Sequence, residues 1–166
     1  MPPTPSEGAR STPSGRTTPG DTALAVLAAL VVDGRAGPRQ IAAATGHPVH
    51  RVVESMERLR DAGIVRGYEP RIDYGALGYV TGIVRLRVAD DARDDVLERL
   101  TADAPVTSAY EVTGASDVIA VAAFPDRAAL DAWTGDLAAA PGVQSLSTTP
   151  VGRTVREGQP FAPDGE

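Results

Sequence analysis

The sequence predicts an α+β protein in two parts: three helices in close succession, then strands and helices in the order βαββαβ. Three observations predict it. Between residues 21 and 63, apolar residues recur at helical spacing and are punctuated by Gly and Pro. After "YGALGY" (residues 74–79) the pattern switches to strand-like alternation. Charge divides at the same place. Residues 21–75 carry seven Arg against seven carboxylates, whereas residues 76–166 carry seven Arg against fourteen. A polyanionic partner is therefore expected to meet the N-terminal half.

The elements follow in order. Residues 1–20 are rich in Pro, Ser, Thr and Gly and nearly devoid of apolar side chains. They cannot bury enough surface to offset their ordering entropy and are expected to be disordered. The same holds for residues 159–166. Asp21 is expected to N-cap a first helix over residues 22–32. "DGRAG" is a turn, and Pro38 suits the first position of a second helix, "PRQIAAAT", stopped by Gly46. Pro48 opens a third helix ending near Ala62, with Gly63 as its stop. The tight turn around Gly46 gives the second and third helices the helix-turn-helix spacing. "IVRGYEPRID" (residues 64–73) reads as two short β-like pieces around Gly67, the size of a small wing.

Residues 74–79 are a linker. "VTGIVRLRV" (residues 80–88) is a strand with Val84, Leu86 and Val88 on one face and Ile83, Arg85 and Arg87 on the other. "RDDVLERLTAD" is an amphipathic helix with Val96, Leu97 and Leu100 inward. "VTSAYEVTG" and "DVIAVAAF" are strands about a "GASD" turn. "DRAALDAWTGDLAAA" is a helix with Ala129, Leu130, Trp133 and Leu137 on one stripe. "VQSLSTTPV" is the last strand, where Pro150 is tolerated only on an edge. The domains expected are a winged helix-turn-helix over residues 21–73 and a ferredoxin-like βαββαβ body over residues 80–158.

Composition excludes several functions. The 166 residues are 42% hydrophobic but only 4% aromatic, so stacking platforms for single-stranded nucleic acid are absent. There is no cysteine, which removes disulfides and thiolate chemistry. The longest apolar run, "ALAVLAALVV", is too short to span a bilayer. No secretion signal opens the chain, so a cytoplasmic protein without a membrane partner is expected. All 16 basic residues are Arg and the net charge is −6.

The motifs taken together are specific. "DGRAGPRQIAAATGH" resembles the pattern "DGR-S--ELA--VGLS", and "RLRDAGIVRGYEPRIDYGALGY" resembles "RLE--GVI-GY-A-ld---LGy". "VTGASDVIAVAAFPD" and "PGVQSLSTTPV" resemble "vtG-yDyll-v-v-d" and "pGV--t-T--v". The sequence from Asp21 to Gly158 thus resembles the leucine-responsive regulator/AsnC family of transcription regulators. The resemblance implies a homodimer formed through the body domains and assembling to an octamer or similar. It implies double-stranded DNA as a partner and an amino acid or related metabolite as effector.

On a helical wheel the third helix places Val49, Val52, Val53, Met56 and Leu59 on an inner stripe, with His50, Arg51, Glu54, Arg58 and Asp61 outside. Base contacts are expected from His50, Arg51 and Ser55 in its N-terminal half. Arg51 has the fork for a guanine edge, and Glu54 can accept from a cytosine amine. Alternatively Glu54 and Arg58, four residues apart, simply pair on a solvated face. Arg35, Arg39, Arg58, Arg66 and Arg71 would serve phosphates. So few cations per head predict weak binding by one head, recovered by linking several.

The "GASD" turn alone reads as a hairpin connection. The resemblance implies that it helps form an effector pocket between body domains. Gly114, Ala115, Ser116 and Asp117 would line that pocket, with Arg127 and Thr149 as neighbours. Many relatives carry an acidic or amide group where Ala115 stands. That leaves Asp117 for an ammonium and Arg127 for a carboxylate.

Enzymatic readings lack residues. His47 and His50, the only histidines, have no carboxylate or thiolate cluster to complete a metal site, and a helix start explains "HPVH" better. There is no P-loop, G-x-G-x-x-G or G-x-S-x-G. No catalytic residue, cofactor or metal is expected. Siroheme decarboxylase subunits share the two-domain architecture, but carry Arg- and His-rich body strands that "SAYEVTGASDVIAVAAF" lacks. A ligand-binding oligomer with a degenerate head is the other alternative.

Overall fold

The computed structural model describes residues 19–158. The tails expected to be disordered lie outside the described residues, apart from Pro19 and Gly20. Two compact units divide between Pro70 and Arg71, and the second runs to Glu157.

The first unit holds α1 (Asp21–Val32), α2 (Pro38–Thr45) and α3 (Val49–Asp61). Gly20, not Asp21, occupies the N-cap of α1, and no side chain caps it. Asp21 instead sits in the first turn, where its charge suits the helix dipole. At the start of α2, Gln40 Oε1 accepts from the Gly37 amide at 2.7 Å, and Gly46 ends the helix in the left-handed region at φ 72°. The core of this unit is Val26, Leu30, Ile41, Ala42, Val52 and Leu59.

The expected wing does not form: residues 64–73 contain no strand. The amides of Ile64 and Val65 are both spent on the carbonyl of Leu59, closing the end of α3. Val65 alone packs on the core, and the rest of the segment is exposed. Gly67 and Pro70 oppose a ladder that has no partner strand to begin with.

The second unit is a four-stranded antiparallel sheet of β1 (Val80–Val88), β2 (Val106–Glu111), β3 (Val118–Phe124) and β4 (Val143–Pro150). The strand order is β2-β3-β1-β4, which puts β4 and its Pro150 on an edge. The helices α4 (Arg93–Ala102) and α5 (Arg127–Ala138) complete the βαββαβ order. Alternation decides the layering. Val84, Leu86, Val88, Val118 and Ala120 join Val96, Leu100 and Leu137 in the core. Trp133 lies 5.3 Å from Phe124 between ring centroids and donates to Asp103 Oδ2 at 3.0 Å. Trp133 is thus held within the core of one chain. The residues between the inward ones face away from the helices. On this open face Ile83 pairs with Val121, and Ile119 pairs with Tyr110. Arg85 and Arg87 share the face by alternation.

One glycine is irreplaceable on geometric grounds. Gly142, entering β4, has φ 80° and its carbonyl accepts from the Ala89 amide at 2.8 Å. A Cβ built there would lie 2.0 Å from Ala92 Cβ. The Gly142→Ala substitution therefore combines backbone strain with overlap against a short side chain that cannot swing away. It is expected to cost about 2–4 kcal/mol. Urea unfolding followed by circular dichroism checks this, and an unmoved midpoint would contradict it.

Candidate functional sites

The buried side of α3 comprises Val52, Ser55 and Leu59. The helix is thus turned by about half a residue step from the expected phase. Ser55 is 1% exposed and cannot reach DNA, contrary to the expectation drawn from the wheel. Its hydroxyl has no hydrogen-bond partner among the described residues. It borders a cavity of about 350 Å³ with Gly20–Ala23 at the start of α1 and Leu59, Ala62 and Ile64. The turn in phase moves two presumed core residues outward: Val49 is 43% and Val53 37% exposed.

The outer face centres on His50, Glu54, Glu57 and Asp61, all exposed. Arg51 and Arg58 flank it. Glu54 bridges them: Oε2 lies 3.3 Å from Arg51 Nη1, and Oε1 lies 3.6 Å from Arg58 Nη2. All three side chains are about half exposed or more, so the pairs add little stability. Their consequence is that one carboxylate occupies two of the cations expected to contact DNA. Arg35, Arg39 and Arg66 are exposed, and among the described residues none pairs with a carboxylate. Arg60, also exposed and without such a pair, joins them. Arg71 belongs to the second unit, where it donates to the Glu157 carbonyl.

The "GASD" turn connects β2 to β3, with Gly114 at φ 120°. Asp117 is half-buried and committed to structure. Its amide donates to the Leu86 carbonyl at 2.9 Å, and its Oδ2 accepts from the Val88 amide at 3.0 Å. Gly114 and Ala115 are exposed beside it, with Ser116 half-buried. Close by in the fold, Arg93 donates to Glu111 Oε1 at 3.0 Å and also pairs with Asp90. The hydrogen bond to Glu111 raises the Arg93 pKa above its ordinary value, and the charges of Asp90 and Asp117 add to it.

Arg127 and Thr149 are not gathered at this turn within one protomer. Arg127 follows the far end of β3, about 20 Å away by strand rise. It is exposed and paired with Asp131 at 2.8 Å. Thr149 Oγ1 lies 3.1 Å from Arg85 Nη1 on the other side of β1. Among the described residues no group of three His, Asp or Glu side chains can hold a metal. Among the described residues no helix is long and apolar enough to cross a membrane.

A helix-turn-helix head carried by an α+β body is the build of a DNA-binding transcription regulator that senses a ligand. Residues 81–161 match the family model of the Lrp/AsnC ligand binding domain. An HTH-type transcriptional regulator of Pyrococcus furiosus is 27% identical over 124 residues, covering 74% of this chain and 84% of its own. The regulator LrpA of Mycobacterium tuberculosis is 29% identical over 121 residues, covering 72% and 81%. A transcriptional regulator of Neisseria meningitidis, solved in complex with L-Met, superposes with a TM-score of 0.76 at 25% identity. That match covers 88% of this chain and 97% of the other. Residues 81–161 thus carry the likeness to the Lrp/AsnC ligand binding domain, and over about three quarters of its length the chain is similar to transcriptional regulators of the helix-turn-helix type.

Proposed function

We propose that this regulator binds specific double-stranded DNA sequences as a homo-oligomer in the cytoplasm, and that an amino acid or closely related metabolite controls the binding. The observation that carries the reading is the joining of a helix-turn-helix head to an Lrp/AsnC ligand-binding body. The L-Met complex of the Neisseria meningitidis relative supports an amino acid as the effector class. The open face of the sheet, with Ile83, Ile119, Val121 and Tyr110 unmatched by any helix among the described residues, supports dimerisation through the bodies. Further assembly to an octamer or similar would add heads. The separation of Arg127 and Thr149 from Gly114–Asp117 supports an effector pocket completed by another copy.

Calorimetry of the full chain against the twenty amino acids, L-methionine first, tests the effector class. At least one is expected to give saturable heat. Asp117→Asn is the informative variant, because its amide oxygen still accepts from the Val88 amide while the charge is gone. If Asp117 receives the effector's ammonium, affinity falls about tenfold or more. Unchanged heat removes Asp117 from the site, and silence from every amino acid removes the effector class.

A further inference from the structure

Val49 and Val53 stand four residues apart in the N-terminal half of α3 and therefore side by side on one face. Both are substantially exposed, although Val52 beside them is fully buried. Their half of the helix is its electropositive half. It holds the positive pole of the dipole together with Arg51, and no carboxylate precedes Glu54. From Glu54 onward the outer face also carries Glu57 and Asp61, which repel phosphates. From Glu54 on, three carboxylates outnumber Arg58 and Arg60, so the N-terminal half is electrostatically the better suited to enter a groove, and that is where the two valines project.

We propose that Val49 and Val53 are specificity-determining residues that read thymine C5-methyl groups. That methyl is the one apolar group on the base edges of the major groove. Valine matches it in two ways. Its surface is purely apolar, so contact releases water without stranding a polar group. Its branched side chain is stiff at χ1, so little freedom is lost on docking. The head then prefers sites in which A·T pairs adjoin the base nearest His50, the outer-face residue that neighbours Val53 around the helix. This inference rests on the sequence-specific DNA binding proposed above and adds the chemistry of one part of the code.

The test begins with selection of binding sites from randomised duplexes by the full chain. Each thymine of the enriched site is then replaced by deoxyuridine, which lacks only the methyl. Wild-type protein is expected to lose about three- to fivefold in affinity at each methyl that it reads. Val49→Ala or Val53→Ala is expected to bind the thymine and uracil forms alike at that position. The proposal is overturned if wild type binds every uracil duplex as tightly as the thymine one, or if both valine variants keep the full discrimination. A selection that enriches no sequence overturns sequence-specific reading itself, and this inference with it.

Discussion

Glu54→Gln is expected to raise the affinity for DNA of arbitrary sequence by about an order of magnitude and to steepen its salt dependence by roughly one to two phosphate contacts. The carboxylate lies within ion-pair distance of both Arg51 and Arg58. Removing its charge releases two guanidiniums and deletes a repulsive group from the outer face of α3 in one step. Glutamine keeps the side chain's length and its helix propensity, so the fold is not in question. The effect on selectivity runs the other way. A glutamate that accepts from a cytosine amine penalises other bases, and glutamine prefers adenine. The ratio of operator to non-operator affinity is therefore expected to fall even as both affinities rise. Fluorescence anisotropy over a series of salt concentrations, on a selected site and a scrambled one, reads both quantities. Equal slopes and equal affinities for the two proteins would show that Glu54 neither restrains the arginines nor reads a base.

Much of the architecture was legible because local signals agreed with one another. Pro38 and Gly46 bracket α2, and alternation along "VTGIVRLRV" fixed which face of β1 is buried. Two misreadings have physical causes. Polarity placed Ser55 outside and Val53 inside, because a wheel ranks side chains by type. Ser55 lies on the side of α3 that faces the start of α1 across a small cavity, so its hydroxyl is buried, at the cost of a polar group without a partner among the described residues. The wing failed for a different reason. Val65 and Tyr68 have strand propensity, but a ladder needs a partner, and the backbone closes back on Leu59 instead. The residues expected at an effector pocket were least legible. Asp117 proved to be tied to the backbone of β1, and Arg127 and Thr149 lie elsewhere on the sheet. Which side chains a folded sheet brings together is set by its strand order and register, and neither is written in the local pattern of one turn.

The second large effect concerns assembly. Val121 lies on the open sheet face, opposite Ile83 on β1 and Ser108 on β2. Val121→Asp leaves the helix-covered core untouched, yet places a charge in the centre of the face assigned to dimerisation. Burying it unpaired would cost more than such an interface gains. The variant is expected to fold and to remain monomeric. Its DNA binding is expected to collapse, because residues 21–75 carry no net charge and a single head gains little from counterion release. Linked heads gain about a hundredfold or more through effective concentration.

Sedimentation velocity and operator titration of the same Val121→Asp preparation, beside wild type, test whether weak heads work only when an acidic oligomer links them. A folded monomer whose operator affinity is lower by about a hundredfold or more is expected. A monomer that binds the operator as tightly as wild type would contradict it.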